Sequence, residues 1–309
     1  MVTKSSHGGD REFEFTQQDF EKVRKLIYAR AGISLSEAKV DMVYSRIGRR
    51  LRALGMNSFK VYLDALESNS NPDEWEAFTN ALTTNLTSFF REEHHFPRTT
   101  KHIEVHYHFV LAEHLLSLKK PITIWCSASS TGEEPYSIAM TACEAFGTMH
   151  PPVSIIASDI DTNVLATASR GVYPEDRLSK MSPERCKAFF LRGKGAQEGL
   201  VRVRNELREL ITFQQVNLLA DEWPLKEPFD AIFCRNVMIY FDKPTQAKII
   251  SKFVPLMKPH GLLFAGHSEN FLYVSHDIKL RGKTVYELNA ASAGASTESA
   301  MSRLARETV

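Results

Sequence analysis

Three observations in this sequence predict an α/β fold, with a Rossmann-like sheet domain, an N-terminal α-helical domain and a small antiparallel β-subdomain insertion. The first is a strand–turn–helix–strand unit. ITIWC (122–126) runs into SASSTGEEP, a stretch starting near Pro135 sets Ile138, Ala139, Ala142 and Phe146 on one face, and VSIIAS stops at Asp159. The second is the return of that rhythm in the strand FDAIFC, a helix at 244–257 and the strand GLLFAGH. The third is a quick succession of helix starts before residue 83.

Those helix starts can be read from their caps. Thr16 is placed as an N-cap, with Phe15 and Phe20 as a hydrophobic staple. Ser36 repeats the pattern with Leu35 and Val40, and Asn57 with Met56 and Val61. Asn71-Pro72-Asp73-Glu74 opens a fourth helix, with proline at the first helical position and acids in the first turn. Gly32 and Gly55 stand where C-caps belong. Residues 13–83 therefore read as a helical domain, and 84–100 as a linker to a sheet domain at 101–289, which starts with a helix at about 101–118.

After Asp159, Thr162–Ser169 reads as a helix ending at Gly171. The segment 172–213 then breaks the rhythm. It holds a short helix at 183–191, the glycine-rich turn RGKGAQEG, and alternating runs at Leu200–Val203 and Ile211–Phe213, which fit two or three antiparallel strands inserted at an edge of the main fold. A hairpin near Ile278–Leu280 and Thr284–Leu288 closes the domain, and 290–309, rich in Ala, Ser and Thr, reads as a disordered tail.

Bulk properties narrow the function. A net charge of +1 over 309 residues argues against a general nucleic-acid or membrane-surface binder. No apolar run approaches the roughly 18 residues of a membrane span. The start MVTKSSHGGD lacks the apolar region of a signal peptide. Cys126, Cys143, Cys186 and Cys234 show no C-x-x-C spacing and read as reduced core thiols of a cytoplasmic protein.

In an open α/β sheet, ligands bind outside the carboxyl ends of the strands. Five polar strand ends fall there: Ser127–Glu134, Asp159 with Asp161, Asn217-Leu218, Arg235-Asn236 and Gly266-His267-Ser268. Asp159 suits the hydroxyls of a ribose, while an acid after a strand is more often a helix N-cap than a ligand contact, and Asp161 before Thr162-Asn163 fits that reading. Asn217 can pair with an adenine edge while Leu218 packs on the ring, and Arg235 needs a partner if buried. The first turn has one glycine, Gly132, where a pyrophosphate wants several, so a nucleoside without phosphates, such as S-adenosylmethionine, fits better than a dinucleotide. His94-His95 and His102-x-x-x-His106-x-His108 lack a Cys or acidic partner set, and no metal is expected. Arg46, Arg49, Arg50 and Arg52 lie beside an apolar stripe of Val40, Val43, Ile47, Leu51 and Leu54, forming either a solvated face or a basic recognition face.

TNLTSFFRE (84–92), ASSTGEEPYSIA (128–139), ASDID (157–161), VNLL (216–219), FDAIFCRNVMIYF (229–241) and LFAGHSENF (263–271) together resemble the chemotaxis receptor methyltransferase family, CheR, over roughly residues 13–288. The resemblance implies a class I methyltransferase domain that moves a methyl group from S-adenosylmethionine to receptor glutamates, leaving S-adenosylhomocysteine. It implies cofactor contacts by Asn85, Thr87, Arg91, Glu134 (or Glu133 beside it), Asp159, Asn217, Leu218, Arg235 and Asn236. Arg91 and Tyr240 would place the substrate carboxylate. The implied partner is the cytoplasmic helical bundle of a chemoreceptor, met by the arginines of the basic helix. A receptor C-terminal tail peptide would add as a strand to the insertion, whose turn bears Gly193, Gly195 and Gly199. Neither nucleic acid nor membrane insertion is expected, and the chain should act as a monomer. A nucleic-acid methyltransferase is the rival enzyme, but Arg235-Asn236-Val237-Met238 lacks the N/D-P-P-Y/F pattern of base-directed enzymes. An adaptor that only senses S-adenosylmethionine is the rival binder.

Overall fold

The structure, a computed structural model, describes residues 11–68, 71–91, 106–225 and 228–289, without the side chains of 106 and 107. The first ten residues, His94, His95, His102 and the tail 290–309 lie outside the described residues. The chain divides into two compact units, Met1–Thr84 and Asn85–Val309.

The first unit contains α1 (Gln17–Ala31), α2 (Val40–Leu54), α3 (Phe59–Ser68) and α4 (Pro72–Leu82). Thr16 and Asp19 form a reciprocal capping box, Phe15 meets Phe20 edge to face, and Gly32 ends α1 in the left-handed conformation that a side chain would strain. Asn71 accepts from Asp73 N at the start of α4, as its sequence predicts. Two expected caps differ. Ser36 opens only a 3₁₀ turn at Glu37–Lys39 and makes no side-chain cap bond. The third helix begins at Phe59 with Ser58, not Asn57, accepting from Val61 N at 3.3 Å, and Val61 is exposed rather than stapled to Met56. A serine hydroxyl one position later offers the same acceptor, and Phe59 then falls in the core. Of the α2 stripe, Val43, Ile47 and Leu51 are fully buried, whereas Leu54 in the last turn is exposed.

The second unit opens with α5 (His106–Ser117), β1 (Ile122–Cys126), α6 (Glu133–Phe146), β2 (Val153–Asp159) and α7 (Thr162–Arg170). Next come β3 (Val172–Pro174), α8 (Pro183–Phe189), β4 (Phe190–Arg192), β5 (Leu200–Val203), the single turn α9 (Asn205–Arg208) and β6 (Ile211–Gln215). It ends with β7 (Phe229–Cys234), α10 (Lys243–Phe253), β8 (Met257–Ala265), β9 (Ile278–Gly282) and β10 (Val285–Leu288). The main sheet has the order β6-β2-β1-β7-β8-β10-β9, parallel as far as β8 and antiparallel through the last hairpin.

Strand alternation feeds two cores. Ile122, Ile124 and Cys126 face the core shared with α5 and α6, while Trp125 points to the opposite core with Trp223 and Phe253. Each fully buried large apolar side chain contributes about 1.5–3 kcal/mol.

The inserted sheet, order β3-β5-β4, is antiparallel and presses Tyr173, Phe190, Val201 and Val203 into the first core. Ile211–Phe213 does not belong to it, which corrects the expected insertion boundary. That run is the edge strand β6, paired in parallel with β2 from Ile155↔Ile211 to Asp159↔Gln215. A short run with one buried end reads alike in either sheet, and only pairing with β2 decides. The short helix also stops at Phe189, because Phe190–Arg192 extends to pair with β5.

Candidate active site

The turn after β1 is fixed from both sides. Ser127 donates its N–H and hydroxyl to Phe233 O at 2.8 and 3.0 Å, and Ser129 N–H donates to Ser158 O at 2.8 Å. Gly132 has φ +100°, and a Cβ there would meet Ala168 Cβ and Tyr173 Oη at 2.8 Å, so only glycine fits. This explains the lone glycine of the motif: it serves a close approach of the insertion and α7, not a pyrophosphate.

Asp159 ends β2 with 8% exposure. Its Oδ2 accepts Ser130 N–H at 2.8 Å and its Oδ1 accepts Asp161 N–H at 3.0 Å. Burial nevertheless pushes its pKa up to about 6, against the pull of those amides. Asp161 caps α7 by accepting from Asn163 N and Val164 N, and also accepts Asn85 Nδ2 at 2.8 Å. The N-cap reading of Asp161 thus holds, and the same carboxylate ties down the segment 85–91.

That segment is anchored along its length. Ser130 Oγ donates to Asn85 O, Arg177 donates to Thr87 O at 3.2 Å, and Phe90 N–H donates to Ser137 Oγ at 3.0 Å. Phe89 and Phe90 are buried, Phe89 edge to face with Tyr173 and Phe190. Arg91 is half-buried and folds back to donate to Leu86 O at 2.5 Å.

Glu133 and Glu134 diverge. Glu133 is fully buried, accepts Thr131 Oγ1 at 2.6 Å and lies 3.6 Å from Arg177. Glu134 turns to the end of the sheet, where it accepts Arg235 Nη1 at 2.6 Å and Cys126 Sγ at 3.3 Å. Arg235 thereby has the partner its burial requires. Asn217, two residues past the end of β6, accepts Leu219 N–H at 2.9 Å, and Leu218 is buried in the second core.

Asn236 has φ +59°, and a 3₁₀ turn at Met238–Tyr240 carries Tyr240, half-buried, beyond it. This turn is held by a residue that sequence reasoning left without a role. Glu269, 5% exposed, accepts Asn236 N–H at 2.9 Å and Gly266 N–H at 2.6 Å on Oε2, and Met238 N–H at 2.8 Å on Oε1. Burial raises its pKa although the amides oppose the shift. An acid in a GHSE turn is an ordinary sequence feature, and its partners lie some thirty positions earlier, at separations of 31 and 33. A second acid, Asp230, is buried at the start of β7 and paired with Lys258 at 2.6 Å and His260 at 2.9 Å.

The structure thus brings Asn85, Glu134, Asp159, Asn217, Arg235, Asn236 and their neighbours to the carboxyl end of β1, β2, β6 and β7. Three of the four arginines of α2 have separate local engagements. Arg46 donates to Ala81 O and Thr83 O at the end of α4, Arg50 grips Glu74 through Nε and Nη2, and Arg52 pairs with Glu12 at 2.8 Å. Arg49 is exposed, with no partner among the described residues. Gly193, Gly195 and Gly199 close the β4–β5 hairpin: a Cβ on Gly193 would run into Gln197 O, and the other two have positive φ. His108 Nδ1 lies 2.7 Å from Thr141 Oγ1, and burial lowers its pKa to about 3. Among the described residues no group of three His, Cys, Asp or Glu could hold a metal ion, and no helix is long and apolar enough to cross a membrane.

Both units have counterparts among known proteins. Residues 18–83 match the all-alpha domain of CheR methyltransferase, and residues 85–286 match its SAM binding domain. Chemotaxis protein methyltransferase 2 of Pseudomonas aeruginosa is 51% identical over 284 residues, covering 92% of this chain and 98% of that one. The chemotaxis protein methyltransferase of Escherichia coli is 52% identical over 270 residues, covering 87% and 90%. That of Klebsiella aerogenes is 55% identical over 269 residues, covering 87% and 89%. The chain belongs to the CheR methyltransferase family, with an all-alpha domain followed by a SAM-binding domain.

Proposed function

We propose that this chain is a cytoplasmic, monomeric protein-glutamate O-methyltransferase. It esterifies glutamate side chains of chemoreceptors with the methyl group of S-adenosylmethionine and leaves S-adenosylhomocysteine. The observation that carries the reading is the convergence of Glu134, Asp159, Asn217 and Asn236 on one end of the sheet, in a chain of this family. The residues fit the cofactor. Asp159 is a nearly buried carboxylate with lone pairs beyond the two amides it accepts, as a ribose diol requires. Asn217-Leu218 joins an amide to an apolar surface for adenine. Glu134, rather than the fully buried Glu133, is the acid for the cofactor, and Arg235 orients it.

Bound S-adenosylmethionine supplies an electrophilic methyl on a sulfonium. The substrate carboxylate forms the O–CH3 bond as the S–CH3 bond breaks. A glutamate with pKa about 4.3 is already ionised at neutral pH, so the site needs no general base. Its residues have alignment and water exclusion to supply. Arg91 and Tyr240 are proposed to orient the carboxylate, with Asn85 and Thr87 fixing the segment that carries Arg91. Arg91 leaves Leu86 O to do so, and the exchange of one acceptor for another keeps its hydrogen bond. Outside the site, Arg49 and the exposed Arg52 are the cations of α2 best able to meet an acidic receptor helix. Arg46 and Arg50 serve the helical unit itself. The hairpin bearing Gly193, Gly195 and Gly199 flanks β4, an edge strand to which a receptor tail peptide would pair.

The test is incubation with radiolabelled S-adenosylmethionine and receptor-containing membranes. The expected result is protein-bound label that base releases as methanol. Cofactor binding without such label would favour a sensing adaptor, and label in nucleic acid would favour the rival enzyme.

A further inference from the structure

We propose that Glu269 is a positioning residue for methyl transfer, holding the turn after β7 so that Asn236 and Tyr240 are presented together. The proposal rests on the roles assigned above to those two residues. Glu269 sits in the turn after β8, yet two of its three amide donors, Asn236 and Met238, belong to the turn after β7. The third is Gly266, which begins its own turn. The carboxylate therefore staples two strand ends together instead of capping a helix. Asn236 lies in the left-handed region, which strains a non-glycine residue and persists only where surroundings impose it. The imposing contacts come from two sides. Glu269 takes the amides of the turn, and buried Gln246 of α10 donates to the carbonyls of Met238 and Phe241 at 2.8 and 3.1 Å.

Chemistry favours a carboxylate in this place. Three N–H groups converge on two oxygens that donate nothing, so every donor is satisfied. A glutamine would turn an NH2 toward at least one of them. Packing is equally tight, because a Cβ on Gly266 would stand 2.8 Å from Asn236 Nδ2 and from Glu269 Oε2. The strand–turn junction thus has two independent handles on the same geometry.

The test uses the full chain with Glu269→Gln and, independently, Gly266→Ala. Each is assayed for melting temperature, S-adenosylhomocysteine affinity, and kcat and KM on receptor-containing membranes. The expected result for both is a folded protein whose kcat falls about tenfold or more with a smaller change in receptor KM, since Glu269→Gln loses one charge-assisted bond to the turn and Gly266→Ala sets a Cβ against Asn236 and Glu269. In a Tyr240→Phe background, Glu269→Gln should cost less than about threefold, because two residues acting through one geometry are not additive. A wild-type kcat in Glu269→Gln overturns the proposal, as does the same full loss in the Tyr240→Phe background. If Glu269→Gln does not fold, Gly266→Ala alone decides by the same criteria. A wild-type chain that transfers no methyl group overturns the functional reading and this proposal with it, so the two failures are distinct.

Discussion

Asp159 combines two demands that oppose each other. Two backbone amides fix its carboxylate at the end of β2, while burial raises its pKa to about 6. A carboxyl whose folded pKa lies above its unfolded value holds its proton longer in the native state. Its contribution to stability is therefore present below about pH 4 and is lost as pH rises through 6. A ligand that hydrogen-bonds to the ionised form works in the other direction and pulls the pKa down. S-adenosylhomocysteine binding near pH 6 should thus release protons, seen as a dependence of the calorimetric enthalpy on buffer. Asp159→Ala should abolish that dependence and weaken binding about 10- to 100-fold, the range for a hydrogen bond to a charged group. Unchanged affinity in the variant would count against the ribose role.

The strand ends were legible in the sequence because each is a local pattern, an apolar run followed at once by acceptors, and β1, β2, β7 and β8 lie where those runs fall. Pairing over long separations was not legible. The run at Ile211–Phe213 belongs to the main sheet only because β2 lies beside it, and Glu269 gains a role only because the turns after β7 and β8 meet. Arg46 and Arg50 look like solvated charges until the ends of α4 supply their acceptors. The glycines of the insertion shape the turn of its hairpin, and tail binding there is a proposal with its own test. Arg192 pairs with Val201, and Gly193 N–H donates to Leu200 O at 2.9 Å, so the hairpin register is set outside residues 194–199. Replacing 194–199 with Asn-Gly should keep that register, since a two-residue primed turn suits the strand twist. If the original loop helps seat a receptor tail, the replacement should slow methylation of tailed receptors several-fold and leave tailless ones unaffected. Equal loss on both substrates would refute tethering.

At the scale of the whole molecule, the chain divides at Thr84 and Asn85 into two compact units, to which we assign two kinds of task. Every residue proposed for the cofactor, from Asn85 to Asn236, belongs to the second unit. That unit also has its own two cores and caps its own helix ends. The first unit has an independent core around Phe20, Ile47, Phe59 and Phe78; its acids engage two of the four α2 arginines, Arg50 and Arg52, and backbone carbonyls at the end of α4 engage Arg46. What it can offer a partner is the exposed charge of Arg49 and, at little cost, Arg52, whose ion pair with Glu12 is half exposed and so weak. Cofactor binding should then survive removal of the first unit, and receptor recognition should not. Residues 84–309 alone should bind S-adenosylhomocysteine within about threefold of the full chain, a change under 1 kcal/mol, by calorimetry. The same fragment should methylate receptor-containing membranes at least about tenfold more slowly at equal concentration, with the loss in KM, because contacts made equally in ground and transition states are what it lacks. Full methylation by the fragment would remove the helical unit from substrate recognition. Loss of cofactor binding would show instead that the second unit depends on the first for its fold, a result that circular dichroism of the fragment would register directly.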